Sequence, residues 1–240
     1  SYASDLVVTG VPKIAALGLE AYMKQSMALP KDGVSAIEKE FKKYGTETDK
    51  KWFKYIMYEP ASRLENEWGV RDDGRDGVHL NWFHQHKNAK IAGLTLAHVL
   101  ALRLYTCPVF LSLNNPLRKF LRDESGKLVQ PLSMAKKHDF PVTIAFIDDG
   151  IRKLRAVEAE KLSKNGGGGE SDELILWRGM KNMKVSEDFV RCGGVEMAPM
   201  STSVSIQIAS HYAMKGDANM IFRIVSKNFM DRGANIAFLS

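Results

Sequence analysis

The order of hydrophobic periods along the chain predicts an α+β protein with its helices first and its sheet second. Up to about residue 165 apolar residues recur at spacings of three to five, whereas from Leu174 onward they alternate every second position. Between the two regimes, Gly166 to Gly169 form an uninterrupted glycine run, the composition of a flexible linker. The expected organisation is a helical part over 1–165, a linker over 166–173 and a β-core over 174–240, packed as one compact domain. A length of 240 residues at 45% hydrophobic content is enough to bury such a core.

Taken in order, Pro12 near a helix start followed by Ile14, Leu17, Tyr22 and Met23 predicts a helix over 11–29, stopped by Pro30 and Gly33. A short basic helix follows over 34–43. Trp52, Phe53, Ile56 and Met57 then make the apolar stripe of a third, a packing stripe rather than a cofactor box. Asp72 to Gly77 resembles half of a calcium loop, but it lacks alternating oxygen ligands and a closing glutamate, so it reads as a polar turn. His79, His84 and His86 lack a third ligand at metal spacing and read as surface or capping residues; no metal is expected.

Leu94 to Leu104 is apolar nearly all round, the signature of a helix buried against several neighbours, with Leu96, Leu100 and Leu104 in the core and Tyr105 and Thr106 at its end. Asn114, Asn115 and Pro116 have the form of a helix start, placing Leu117, Phe120 and Leu121 toward the core. Pro141 opens a further helix, whose face of Thr143, Ile147, Ile151, Leu154 and Val157 runs to about Leu162. Strands are expected near 174–178, 195–197, 200–203, 220–225 and 234–239, with a helix from Ser205 to Met214.

A formal charge of +6 and a pI near 9.2 favour anionic partners. The basic residues are dispersed, in pairs such as Lys42-Lys43 and Lys50-Lys51, and base-stacking motifs are absent, so nucleic acid is not the expected partner. Cys107 and Cys192, 85 positions apart, have no metal-type spacing and read as free thiols of a reducing compartment, cytoplasmic or organellar. The most apolar stretch, Ile91 to Leu113, contains His98, Arg103 and Pro108 and suits a buried helix pair better than a membrane span. The glycine run is not followed by Lys-Ser or Lys-Thr and is no phosphate loop.

The chemistry-bearing stretch is Leu174-Ile-Leu-Trp-Arg178-Gly179, then Ser201-Thr202-Ser203. An arginine closing a strand presents a planar, always-charged fork suited to bidentate phosphate capture. Gly179 beside it permits close approach to the backbone. Ser201 and Ser203 share one strand face and Thr202 takes the other. Taken singly, such an arginine is usually a surface charge and such a serine run a turn. Their order, with Gly233-Ala-Asn-Ile-Ala-Phe-Leu-Ser240 after a further apolar strand, resembles the arginine-specific mono-ADP-ribosyltransferases, defined by Arg, Ser and Glu on successive strands, and in particular their unicellular-eukaryote branch. Ala92 to Thr106 and Asn114 to Arg118 are similar to helices ahead of that family's sheet. The resemblance covers about residues 91–240.

The resemblance implies a helical lobe followed by an NAD-binding split β-sandwich, its last strands missing here. It implies transfer of ADP-ribose from NAD, as substrate, to a protein arginine. Arg178 would hold the NAD diphosphate or adjacent ribose, Gly179 would offer backbone groups to the nicotinamide amide, and Ser201, with Thr202 and Ser203, would brace the site. The family's Glu-x-Glu pair follows the strand matching 233–240, and this sequence stops at Ser240. The expectation is therefore a transferase whose gene continues beyond this chain, the chain itself being inactive. The alternative is a pseudoenzyme serving as a structural or binding subunit of a larger assembly, organellar or peripheral to a membrane. In either case its partners are proteins, as acceptor or as neighbouring subunits.

Overall fold

The computed structural model describes residues 29–58, 78–119, 138–164, 173–181, 187, 191, 196, 198–214, 219–226 and 233–240. The helix expected over 11–29, the polar turn at Asp72 to Gly77, Phe120, Leu121, the glycine run and Cys192 lie outside the described residues, Leu29 apart. The fold is α+β. Its described residues fall into two compact units: a helical unit of residues between 29 and 164 together with 233–240, and a sheet unit of residues between 173 and 226.

The helical unit begins with α1 (Gly33–Tyr44), where the Asp32 carboxylate accepts the Ser35 amide, and with α2 (Glu47–Tyr58), where Asp49 accepts both the amide and the hydroxyl of Thr46. Ile37, Phe41, Phe53, Tyr55 and Ile56 of these helices are buried, while Trp52 and Met57 are half-buried. Two short helices follow, α3 (Leu80–Gln85) and α4 (Lys87–Ile91). His86 caps α4 by accepting the Asn88 amide, His84 bonds the Leu94 carbonyl, and His79 stands at the N-cap of α3. After α4, Gly93 takes φ +61°, so that the Leu94 and Gly93 amides can donate back to the Ala89 and Lys90 carbonyls. This closure needs the left-handed region, which glycine enters without Cβ strain.

At the centre lies α5 (Leu96–Tyr105), packed by α1, α2, α3, α6 and α7 (α6, Phe110–Lys119; α7, Pro141–Lys164). Every residue from Ala97 to Tyr105 is buried, Leu100 and Leu104 completely, but Leu96 at the first turn is only half-buried. The helix expected to start at Asn114 instead starts at Phe110, with Pro116 inside it. Proline removes one amide donor, but Val109, Leu113 and Leu117 form a buried face that outweighs the loss. Among the described residues no single helix is long and apolar enough to cross a membrane, and α5 and α6 meet at an 82° bend.

α7 starts on a carboxylate borrowed from α1. Glu40 accepts the Val142 amide at 2.6 Å, the Thr143 amide at 3.0 Å and the Thr143 hydroxyl at 2.7 Å, filling orphan donors of the first turn. Of the face expected for this helix, Thr143, Ile147 and Leu154 are buried and Ile151 and Val157 half-buried.

The segment 233–240, expected as a strand of the sheet, is not one. Its chain turns, with the Leu239 amide donating to the Ile236 carbonyl, and it packs into the helical unit. Leu239 is fully buried, and its carbonyl accepts from Arg103 at 2.7 Å and from the Thr106 hydroxyl at 3.1 Å. Phe238 stacks on His86 at 4.4 Å, and the Asn235 amide donates to Glu158. The apolar alternation of Ile236 and Phe238 resembles a strand, but burial of Leu239 and the hydrogen-bond demand of a buried arginine decide the conformation.

In the sheet unit, β1 (Leu174–Lys181) and β2 (Asn219–Ser226) pair antiparallel over their whole length, Arg178 opposite Phe222. Between them runs α8 (Ile206–Ala213), capped by Ser205 and buried through Ala209 and Ala213 against β1.

Leu100→Ala, which empties part of a fully buried position, is expected to lower stability by about 2–5 kcal/mol in denaturant unfolding; an unchanged midpoint would contradict the central place of α5. The second expectation concerns pH. The His98 Nδ1 accepts the Thr95 amide and hydroxyl, so its ring proton lies on Nε2 and is donated to Asp149 at 2.7 Å. Burial holds this imidazole below its ordinary value of 6.5, against the pull of Asp149 and with the help of Lys153. The unfolded chain binds that proton at higher pH than the folded one, so stability declines as pH falls below about 6.5. His98→Gln keeps an acceptor for the Thr95 amide and does not titrate. Its stability loss from pH 7 to pH 5 is expected to be smaller than that of the unmodified protein in paired urea titrations.

Candidate functional site

The residues singled out in the sequence converge on one edge of β1. Trp177 and Ser203 exchange two backbone hydrogen bonds, at 2.7 and 2.8 Å, on the side of β1 away from β2. This bridge is isolated, so 200–203 does not form the strand expected of it. In an antiparallel ladder the next doubly bonded pair would be Gly179 with Ser201, but the ladder is not continued there among the described residues. Instead the Ser201 carbonyl accepts from Arg178 Nη1 at 3.1 Å. Arg178 thus bonds the Ser201 carbonyl where the ladder stops, and the backbone groups of Gly179, which share the parity of Trp177, lie along that edge.

Arg178 and Ser201 meet, but through the serine's backbone and not its hydroxyl. The Ser203 hydroxyl oxygen accepts the Ser205 amide and so shapes the start of α8; Thr202 is half-buried and Ser201 exposed. Alternation along β1 puts Arg178 on the face of Leu174 and Leu176 and Gly179 on the opposite face. A Cβ on Gly179 would fall on the Ala209 carbonyl oxygen, and would lie 2.8 Å from the Ala209 carbonyl carbon and 3.0 Å from the Ala213 nitrogen. The close approach expected of a ligand at Gly179 is therefore made, on its side-chain face, by the backbone of α8. A ligand's access to this residue is along the strand edge.

One residue of the site was passed over in the sequence. The Glu196 carboxylate stands 3.9 Å from Arg178 Nη2, with 17% of the arginine side chain and 28% of the glutamate side chain exposed. Its other oxygen accepts the Ala198 amide at 3.1 Å. Nothing in the local pattern marks Glu196, because its relation to Arg178 exists only once 196–203 lies beside β1. A second polar cluster, in the helical unit, was legible in principle: Thr95-x-x-His98 has the spacing of a capping box, with histidine in place of the usual acid. Among the described residues no cluster of His, Cys, Asp or Glu is arranged to hold a metal ion, and Cys107 is buried with its thiol donating to the Leu104 carbonyl.

The edge therefore combines a half-buried guanidinium, a carboxylate facing it, and backbone groups beside a small exposed serine. Such an arrangement can hold an anion and a planar amide side by side. No protein-family model, curated protein or solved structure matches the chain.

Gly179→Ala is expected to force α8 off β1, since the added methyl meets backbone atoms that no rotamer change can move. A loss of about 1–3 kcal/mol, the range for overpacking, should appear in calorimetry; unchanged stability would show that α8 does not need this contact.

Proposed function

We propose that the sheet unit is an NAD-binding module of the ADP-ribosyltransferase type, with the arginine-specific mono-ADP-ribosyltransferases as its family. The observation that carries this reading is the interrupted ladder: Arg178 holds the Ser201 carbonyl where Gly179 would otherwise pair with it. The pyrophosphate of the dinucleotide is held by Arg178, the nicotinamide carboxamide by the edge groups of Gly179, and Ser201 to Ser203 shape the wall opposite. In the transferase reaction the bond between ribose C1′ and the nicotinamide nitrogen breaks, nicotinamide leaves with the electron pair, and an arginine nitrogen of the acceptor protein bonds C1′ and loses a proton. The oxocarbenium-like charge on the ribose calls for a preorganised carboxylate. In the family a Glu-x-Glu pair just after the strand matching 233–240 supplies it; in this sequence the Glu-x-Glu pairs, at 38–40, 65–67 and 158–160, all lie ahead of Arg178 and none follows 233–240. Losing one such group raises the barrier by about 2.7–4 kcal/mol, a hundred- to thousandfold in rate, so this chain binds NAD and transfers negligibly.

A second reading is supported by a separate observation. The segment 233–240, which the resemblance matches to the strand leading to the catalytic glutamate, is secured to the helical unit by Arg103, Thr106 and Glu158. This favours a non-catalytic subunit that keeps the site for binding or assembly with partner proteins.

NAD binding by calorimetry and labelled-NAD transfer to an arginine-rich acceptor are to be measured on this chain, on Arg178→Ala, and on a form extended by the natural downstream sequence. The expected outcome is measurable NAD binding lost in Arg178→Ala, with transfer at least a hundredfold higher in an extended form that carries Glu-x-Glu. Absence of NAD binding by every form would remove the NAD reading, and binding without transfer by an extended Glu-x-Glu form would favour the non-catalytic subunit.

A further inference from the structure

Arg178 is not an open fork. One terminal nitrogen donates to the Ser201 carbonyl, and the other faces Glu196. The 3.9 Å separation from Glu196 lies well beyond the roughly 2.7–2.9 Å of a charge-assisted hydrogen bond. At that separation the carboxylate acts on the guanidinium as a nearby counter-ion. Its orientation is fixed from the other side, because the Ala198 amide donates to its second oxygen. The bond to the Ala198 amide therefore holds a negative charge beside the guanidinium that an incoming anion would engage.

Resting on the NAD reading above, we propose that Glu196 is an internal counter-anion that sets the selectivity of the site: only a ligand carrying a diphosphate displaces it from Arg178. A monoanion brings one negative charge and replaces one carboxylate by its equal. A nucleoside diphosphate group brings two or more charges and several acceptor oxygens, so the exchange favours it. Ligands with no phosphate gain nothing from Arg178 and are indifferent to Glu196. The residue acts through Arg178 and is a specificity-determining residue, not a catalytic one. The Ser201 bond meanwhile keeps the guanidinium in place whether Glu196 or a diphosphate occupies its other side.

The test is calorimetric, with ADP-ribose, the monoanionic phosphodiester cyclic AMP and uncharged adenosine as probes, on the unmodified chain, Glu196→Gln and Glu196→Asp. Glutamine retains an oxygen for the Ala198 amide and removes the charge. The expected result is a gain of about tenfold in ADP-ribose affinity in Glu196→Gln, a proportionally larger gain for cyclic AMP, no change for adenosine, and behaviour close to the unmodified chain in Glu196→Asp. Unchanged circular dichroism spectra and melting midpoints of both Glu196 variants exclude misfolding as the cause. Equal ADP-ribose affinity in the unmodified chain and Glu196→Gln overturns the counter-anion role while leaving the NAD reading intact. Failure of both forms to bind ADP-ribose overturns both, and an equal gain for all three probes overturns the selectivity by charge.

Discussion

A helix that is buried on every side takes its polar groups into the core with it, and the helical unit is arranged around that constraint. α5 brings His98 and Arg103 to positions only 2% and 3% exposed. Left without partners, such groups would oppose folding by amounts comparable to the whole stability of a domain. His98 is answered by Thr95 on one ring nitrogen and by Asp149 on the other, and Lys153 bonds the same carboxylate at 2.9 Å. Arg103 is answered by the Leu239 carbonyl and by the face of Phe83, 4.6 Å from its ring centroid. The partners come from α7, α3 and the segment 233–240, so satisfying α5 also positions those elements.

Carboxylates serve the same end elsewhere. Asp49 opens α2 and accepts the Ser112 hydroxyl of α6 at 2.9 Å, tying the two helices. Glu40, on α1, supplies the anion for the N-terminus of α7. Burial raises the Glu40 pKa, opposed by the Thr143 and Val142 bonds. These are side chains that a local reading assigns to their own helix surface, yet each acts across to another helix.

In the sheet unit the corresponding constraint is space. α8 comes so near β1 that only glycine fits at position 179, and Ala209 and Ala213 present the matching small face. The same strand uses its neighbouring residue, Arg178, on the opposite face to hold Ser201. Steric fit and charge are thus separated on the two sides of one strand, and the open edge between them is where the proposed ligand lies.

Much of this was legible in the chain itself. The switch from helical to alternating period marked the two kinds of structure, and all-round hydrophobicity marked α5, because burial on every side needs apolar residues at every angle. The same alternation located β1 and β2 to within three residues, and the Arg178-Gly179 and Ser201-Thr202-Ser203 stretches do lie together. Other features depend on contacts between residues far apart in sequence. Pro116 reads as a helix start until the buried face of Val109 and Leu113 carries the helix past it, and 234–239 alternates like a strand until Arg103 claims the Leu239 carbonyl. Likewise Gly179 suggests room for a ligand until α8 fills that room, and Glu196 has no local signal at all. By itself the sequence determined the kinds of element and the residue types available for chemistry, since period and side-chain chemistry are local properties. Which partner each buried polar group takes, and therefore which residues face one another at the site, was decided only by the tertiary structure, because hydrogen bonding and steric fit are satisfied in space and not along the chain.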